Sequence, residues 1–171
     1  IVNAVDAVTL SGAITGVEFG AREEPANGTG ETAPASNGEA TAALEAAAAQ
    51  LREYLRVDPA NGLLACDLSD TLSAAGLHDE AEQALQNLPE NAQVLVGVQF
   101  RLARSALIHG RYEEAESRLK HLIAEGEQSV ALWHDLAFAQ LCQRDTKGAT
   151  QTLENAVQNF GDNAELAIVR V

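Results

Sequence analysis

From Thr41 onward the apolar residues recur at spacings of three and four, the period of helices that each bury one face. The pattern is broken at Asp58-Pro59-Ala60-Asn61-Gly62, Gly76, Leu88-Pro89-Glu90-Asn91, Gly110, Gly126, Arg144-Asp145 and Gly161-Asp162-Asn163. Breaks this short turn each helix back on the one before it, so the pattern predicts about seven or eight antiparallel helices of roughly 10 to 17 residues. Nothing in this stretch has the two-residue alternation of a strand. Residues 21–40 hold two prolines, three glycines and four glutamates but no Val, Ile, Leu or aromatic side chain. Such a segment buries too little apolar area to offset its ordering entropy, and it is expected to be a flexible linker. Residues 1–20 form an N-terminal tail in which two short alternating runs around Ser11-Gly12 suggest a hairpin, marginal on its own.

Sliding the sequence against itself by 34 residues brings Ala47, Ala81, Ala115 and Ala149 into register, and four positions later Leu51, Leu85, Leu119 and Leu153. Leu68, Leu102 and Leu136 align at the same offset, as do Gly76 with Gly110 and Ala103 with Ala137. Leucines that repeat as faithfully as alanines are not a by-product of an Ala-rich composition; they indicate a helical solenoid. In each unit the first helix offers Leu68, Leu102 or Leu136 to the second. The Ala of the second helix is expected where the two backbones cross most closely, and Gly76 and Gly110 end the first helix.

Two strings carry a family resemblance, Ala75-Gly76-Leu77-His78-Asp79-Glu80-Ala81 and His109-Gly110-Arg111-Tyr112-Glu113-Glu114-Ala115. With Trp133-His134-Asp135-Leu136-Ala137 and Val57-Asp58-Pro59, they resemble the Gly-x-Tyr-x-x-Ala turn, the Trp-x-x-Leu opening and the Asp-Pro close of tetratricopeptide repeats (TPR). The resemblance covers residues 41–171. It implies an all-α, TPR-type solenoid of antiparallel helix pairs wound into a right-handed superhelix. The units expected are a half-repeat at 41–61, repeats at 62–95, 96–129 and 130–163, and the start of another at 164–171. Arg144-Asp145-Thr146-Lys147 departs from the Gly-x-Tyr turn, and the closing proline is missing at Gln93, Glu127 and Gly161. The apolar helix start at 164–171 leads us to expect that the natural chain continues past Val171, and the absence of any Met that it is a fragment or processed product.

The same resemblance implies a binding module whose ligand lies in a concave groove lined by the first helix of each repeat. Counting along those helices, the groove positions are Leu63, Cys66, Asp67 and Asp70; Phe100, Arg101, Arg104 and Leu107; His134, Asp135, Phe138 and Leu141; and Ile168. Phe100, Phe138 and Leu141 are anchors of the kind that dominate interface energetics. Arg101 and Arg104, one turn apart, would clamp a carboxylate or acidic segment of a protein or peptide partner. Against this stands the alternative that they form surface ion pairs with Asp67, Asp70 or Asp135. Repeat proteins that clamp acidic chaperone C-termini share a Lys and Asn set; Cys66, Asp70 and Arg101 stand there instead, so that specificity is not expected.

Charge narrows the partners further. The chain has 171 residues and 25 Asp and Glu against 11 Lys and Arg, a net charge of -14. A surface this acidic repels phosphate backbones and anionic lipid, so nucleic acid is excluded as a partner. No run approaches the ~18 apolar residues of a membrane helix, so no membrane insertion is expected. Cys66 and Cys142 lie two repeats apart, roughly 20 Å at 8–10 Å per helix layer, too far for a disulfide. They and His78, His109, His121 and His134 lack metal-ligand spacing, so no metal or cofactor is expected. Asn27-Gly28-Thr29 fits a glycosylation pattern, with nothing else to support it. No phosphate loop or Ser-His-Asp set is visible, and the chain is not expected to be an enzyme.

The expected function is therefore a protein-interaction scaffold or an assembly or chaperone factor. The alternative is the regulatory or substrate-recruiting TPR part of a larger enzyme or thioredoxin-like chaperone. Self-association through the N-terminal tail is a third reading, because a tethered segment acts at high effective concentration.

Overall fold

The computed structural model describes residues 37–161, which fold into eight helices and no strand. These are α1 (Asn37–Val57), α2 (Gly62–Ala74), α3 (His78–Gln86), α4 (Glu90–Gln93), α5 (Val96–Ile108), α6 (Tyr112–Ala124), α7 (Val130–Cys142) and α8 (Thr146–Phe160). Successive helices pack on one another, α3 meeting α5 past the short α4, with α2 also meeting α5, and α5 meeting α7. Each unit therefore buries its apolar face against its neighbours, as a solenoid must. The tail with its hairpin reading, Asn27 and residues 164–171 lie outside the described residues.

The register seen in sequence becomes a core. Leu68, Leu102 and Leu136 are buried on α2, α5 and α7, while Ala81, Ala115 and Ala149 are buried on α3, α6 and α8. Their Leu85, Leu119 and Leu153 close the same contacts one turn on. The half-buried Trp133 joins two clusters, touching the group around Leu119, Leu122 and Leu132 and the group around Ala149, Leu153 and Ala156.

Each pair turns on a residue in the left-handed region: Gly76 at φ 80°, Gly110 at 72° and, at the third equivalent position, Arg144 at 65°. The hydrogen bonds are the same at all three, from Leu77 N to Leu72 O, Arg111 N to Ala106 O and Asp145 N to Gln140 O. The six-to-one geometry of a Schellman close is thus kept where its glycine is not.

Three expectations need correction. The linker boundary at residue 40 is too late, because α1 begins at Asn37 and runs for 21 residues, beyond the length anticipated for any helix. Glu39-Ala40-Thr41-Ala42-Ala43 can extend the helix, since Ala needs little packing to stay helical. The break at Leu88-Pro89 contains a further helical turn, α4, with Ala92 buried beneath it. Ala47 keeps the register but is exposed, while its neighbour Ala48 is buried against Leu68, Leu72 and Ala81. The reason is positional. Ala81, Ala115 and Ala149 each face the first helix of their own pair, and α1 has no such partner among the described helices; Ala48 faces the next pair instead.

Candidate functional site

Every third or fourth residue along α2, α5 and α7 emerges on one shared face. On α2 these are Leu63, Asp67, Asp70 and Ala74; on α5, Gly97, Arg101, Arg104 and Ile108; on α7, Ala131, Asp135, Phe138 and Cys142. The three sets are related by the 34-residue register, so equivalent residues form rows across the helices. Leu63, Ile108 and Phe138 are 72%, 54% and 43% exposed, which is high for large apolar side chains in an ordered helix.

The charges on this face interlock. Arg101 donates from Nε to Asp70 Oδ1 at 2.8 Å and from Nη2 to the other carboxylate oxygen, a fork-to-fork pair. Its Nη1 also donates to the carbonyl of Gly97 on its own helix at 3.2 Å. Partial burial works against the charge of Arg101, but the Asp70 hydrogen bonds outweigh it and raise its pKa above the ordinary arginine value. Arg104 is held more loosely, with Nε 3.6 Å from Asp135 Oδ2 and its side chain 57% exposed. Asp135 also meets His134 Nδ1, 3.0 Å from Oδ1. Burial pushes the Asp67 carboxyl up, with Arg101 pulling the other way.

The structure separates the residues that sequence counting had placed together. Asp70, Arg101, Arg104 and Phe138 share the face. Cys66 does not, because it is buried between α2 and α5 in the cluster with Ala65, Val98 and Leu102, beside Gly97. Burial raises its thiol pKa, opposed by the nearby Arg101. Phe100 packs into the cluster of Ala103, Leu119 and Leu122, and Leu141 into that of Ala137 and Leu153, so both are partly core rather than free anchors. Leu107 and His134 are half-buried. Ile168 lies outside the described residues. Ile108 was missed, although the register itself would have found it: it stands 34 residues from Ala74 and from Cys142.

A second repeated arrangement was not anticipated. Glu82 and Glu116 follow the buried Ala81 and Ala115, and each carboxylate reaches across to the next pair of helices. Glu82 accepts from Gln86 Nε2 at 2.7 Å, Ser105 Oγ at 2.8 Å and Arg111 Nη2 at 2.6 Å, with His109 Nδ1 3.4 Å away. Glu116 accepts from Lys120 Nζ at 2.7 Å, Gln140 Nε2 at 3.2 Å and Gln143 Nε2 at 2.8 Å. Gln86 matches Lys120 and His109 matches Gln143 in the register, so one joint is built twice with different donors. Burial alone would raise both carboxyls, but hydrogen bonds from Arg111 and Ser105, and from Lys120 and the two glutamines, hold them below the ordinary glutamate value.

Residues 106–170 match the family model described as tetratricopeptide repeat. No curated protein matches the chain in sequence. A crystal structure of MamA is similar to this chain at a TM-score of 0.61 and 16% identity, over 73% of this chain and 75% of that one. A structure of MamA AMB-1 gives 0.58 and 23%, over 77% and 72%. A tetratricopeptide repeat protein from Parabacteroides merdae ATCC 43184 gives 0.62 and 19%, over 75% of this chain and half, 50%, of its own. Identities this low speak for the fold alone.

Proposed function

We propose that this helical array, whose residues 106–170 match the tetratricopeptide-repeat family model, is a protein-interaction scaffold or assembly factor. Its partner segment lies along the shared face of α2, α5 and α7. The observation that carries this reading is the exposure of Leu63, Ile108 and Phe138 on that one face, beside charges held in fixed positions. Large apolar side chains there cost solubility without serving the core, and rigidly placed neighbours lower the ordering cost of binding.

The face also favours one chemistry in the partner. Arg101 is already committed to Asp70. Arg104, loosely paired and well exposed, is the cation open to a partner carboxylate, and Phe138 occupies the equivalent position on the next first helix. A segment with a carboxylate beside an apolar side chain would engage both.

The test places a photoreactive benzophenone amino acid at position 138 in otherwise unchanged protein and maps what it cross-links in cells. One discrete partner, lost when Arg104→Glu is added and retained with Lys147→Glu on the exposed side of α8, is the expected result. Indiscriminate labelling, or labelling indifferent to Arg104, would rule the face out.

A further inference from the structure

Two arginines serve three aspartates on the shared face of α2, α5 and α7. Arg101 binds both carboxylate oxygens of Asp70, and Arg104 stands by Asp135, which His134 also meets. Asp67 is left over. Among the described residues its carboxylate accepts no hydrogen bond and forms no ion pair. Arg101, whose charge reaches it, spends its Nε and Nη2 on Asp70 and its Nη1 on the Gly97 carbonyl. Asp67 is also half-buried, so water solvates it less freely than an open surface carboxylate, and that burial disfavours its charge. One turn earlier on the same helix stands Leu63, 72% exposed. A large apolar side chain in water, beside a carboxylate without a donor, is the complement of one kind of group: a long alkyl stem that ends in a cation.

We propose that Leu63 and Asp67 form a subsite for a lysine or arginine side chain of the partner segment, its stem along Leu63 and its charged head on Asp67. This rests on the reading that the partner lies along this face, and it adds a basic residue to the carboxylate and apolar groups that Arg104 and Phe138 would engage. The net charge of -14 acts in the same direction, drawing a basic segment toward the chain. Spacing follows from the fold. Asp67 and Arg104 are separated by one helix layer, about 8–10 Å, and by about one turn, ~5 Å, which is roughly 10 Å in all. An extended segment covers that in about three residues at ~3.3 Å each, so its acid and its base stand about three positions apart.

The experiment selects a phage-displayed library of random peptides on the full chain. A recovered peptide is synthesised with its basic residue and with norleucine in that place, and both are titrated by fluorescence anisotropy. The expected motif has an acidic, an apolar and a basic position. Asp67→Asn should weaken the basic peptide about tenfold and leave the norleucine peptide within about twofold. An undiminished urea midpoint shows that the variant folds, and the difference between the two peptides separates recognition from structure. Peptides that need Arg104 and Phe138 but carry no basic residue, or whose basic residue is indifferent to Asp67→Asn, overturn the subsite and leave the face standing. Peptides indifferent to Arg104→Glu and Phe138→Ala, or a library that yields none, overturn the face and the subsite with it.

Discussion

Nη2 of Arg111 lies 2.7 and 2.6 Å from the two carboxylate oxygens of Glu82, so the residue preceding α6 clasps a side chain on α3 that is only 11% exposed. The contact ties two successive helix pairs, alongside the hydrogen bond from Ser105 to the same carboxylate. Arg111→Met would leave Glu82 with Ser105 and Gln86 as its firm partners. Because Arg111 is 40% exposed, part of its interaction is screened, and a loss of about 1–2 kcal/mol is expected, read as a lower urea midpoint. The difference from the parent should shrink on acidification. Glu82 is held below its ordinary value, so its contribution is present above the ordinary glutamate range and is lost as pH falls through the lowered value. An unchanged midpoint would mean the clasp adds nothing.

The opposite pH dependence belongs to His109. Its Nδ1 is 2.8 Å from the Ser105 carbonyl oxygen and its Nε2 2.9 Å from Asp79 Oδ1. Two acceptors favour the ring that can donate from both nitrogens, which is the charged one, and the bond to Ser105, with Asp79, raises its pKa. Its stabilisation is then complete below the unfolded-state value and fades as pH rises through the raised folded value. Stability should decline in the parent protein as pH rises above the ordinary histidine value and through the raised one. His109→Gln supplies the side chain that Gln143 provides at the equivalent joint and should flatten that decline. Parallel slopes for parent and variant in urea titrations across this range would refute the assignment.

Arg144 occupies the left-handed position that Gly76 and Gly110 fill in the preceding pairs. A side chain there costs about 1–2 kcal/mol, offset in part by the greater unfolded-state entropy of glycine. Arg144→Gly should therefore stabilise by about 0.5–1 kcal/mol, seen as a raised thermal midpoint. Gly110→Ala should do the reverse by a similar amount. A destabilised Arg144→Gly protein would show that the arginine side chain makes up for its backbone.

Identical substitutions at register-equivalent positions should diverge. Ala115→Leu forces bulk into a site with no exposed area and should cost about 1–3 kcal/mol. Ala47→Leu, at the corresponding but exposed position, should change stability by no more than about 0.5 kcal/mol. Chemical denaturation of the two variants side by side distinguishes position in the array from position in the repeat; equal losses would contradict the burial described.

Periodicity made the solenoid legible because the side chains that recur, Leu68, Leu102 and Leu136 against Ala81, Ala115 and Ala149, are the ones whose packing repeats. The candidate face was only half legible. Helix counting placed Arg101, Arg104 and Phe138 on it but added Cys66 and Phe100, which a rotation of one residue carries into the interface with the next pair. The pairing of Arg101 with Asp70 spans 31 residues and depends on how α2 and α5 pack, which no single-helix pattern records. The Glu82 and Glu116 joints were missed for a different reason: only two of their partners, at 86 and 120 and at 109 and 143, fall at matching positions, and those differ in residue type, so a search for recurring identities passes over them.

That difference gives the array a direction. The joint around Glu82 draws its cations from the following pair, through Arg111 and His109, whereas the joint around Glu116 draws its cation from its own helix, through Lys120, and takes neutral amides from the following pair. Successive joints therefore have unequal compliance under changing proton activity. Loss of the His109 charge as pH rises weakens the first joint, and no histidine stands in the second, so separation of the array is expected to begin between α3 and α5.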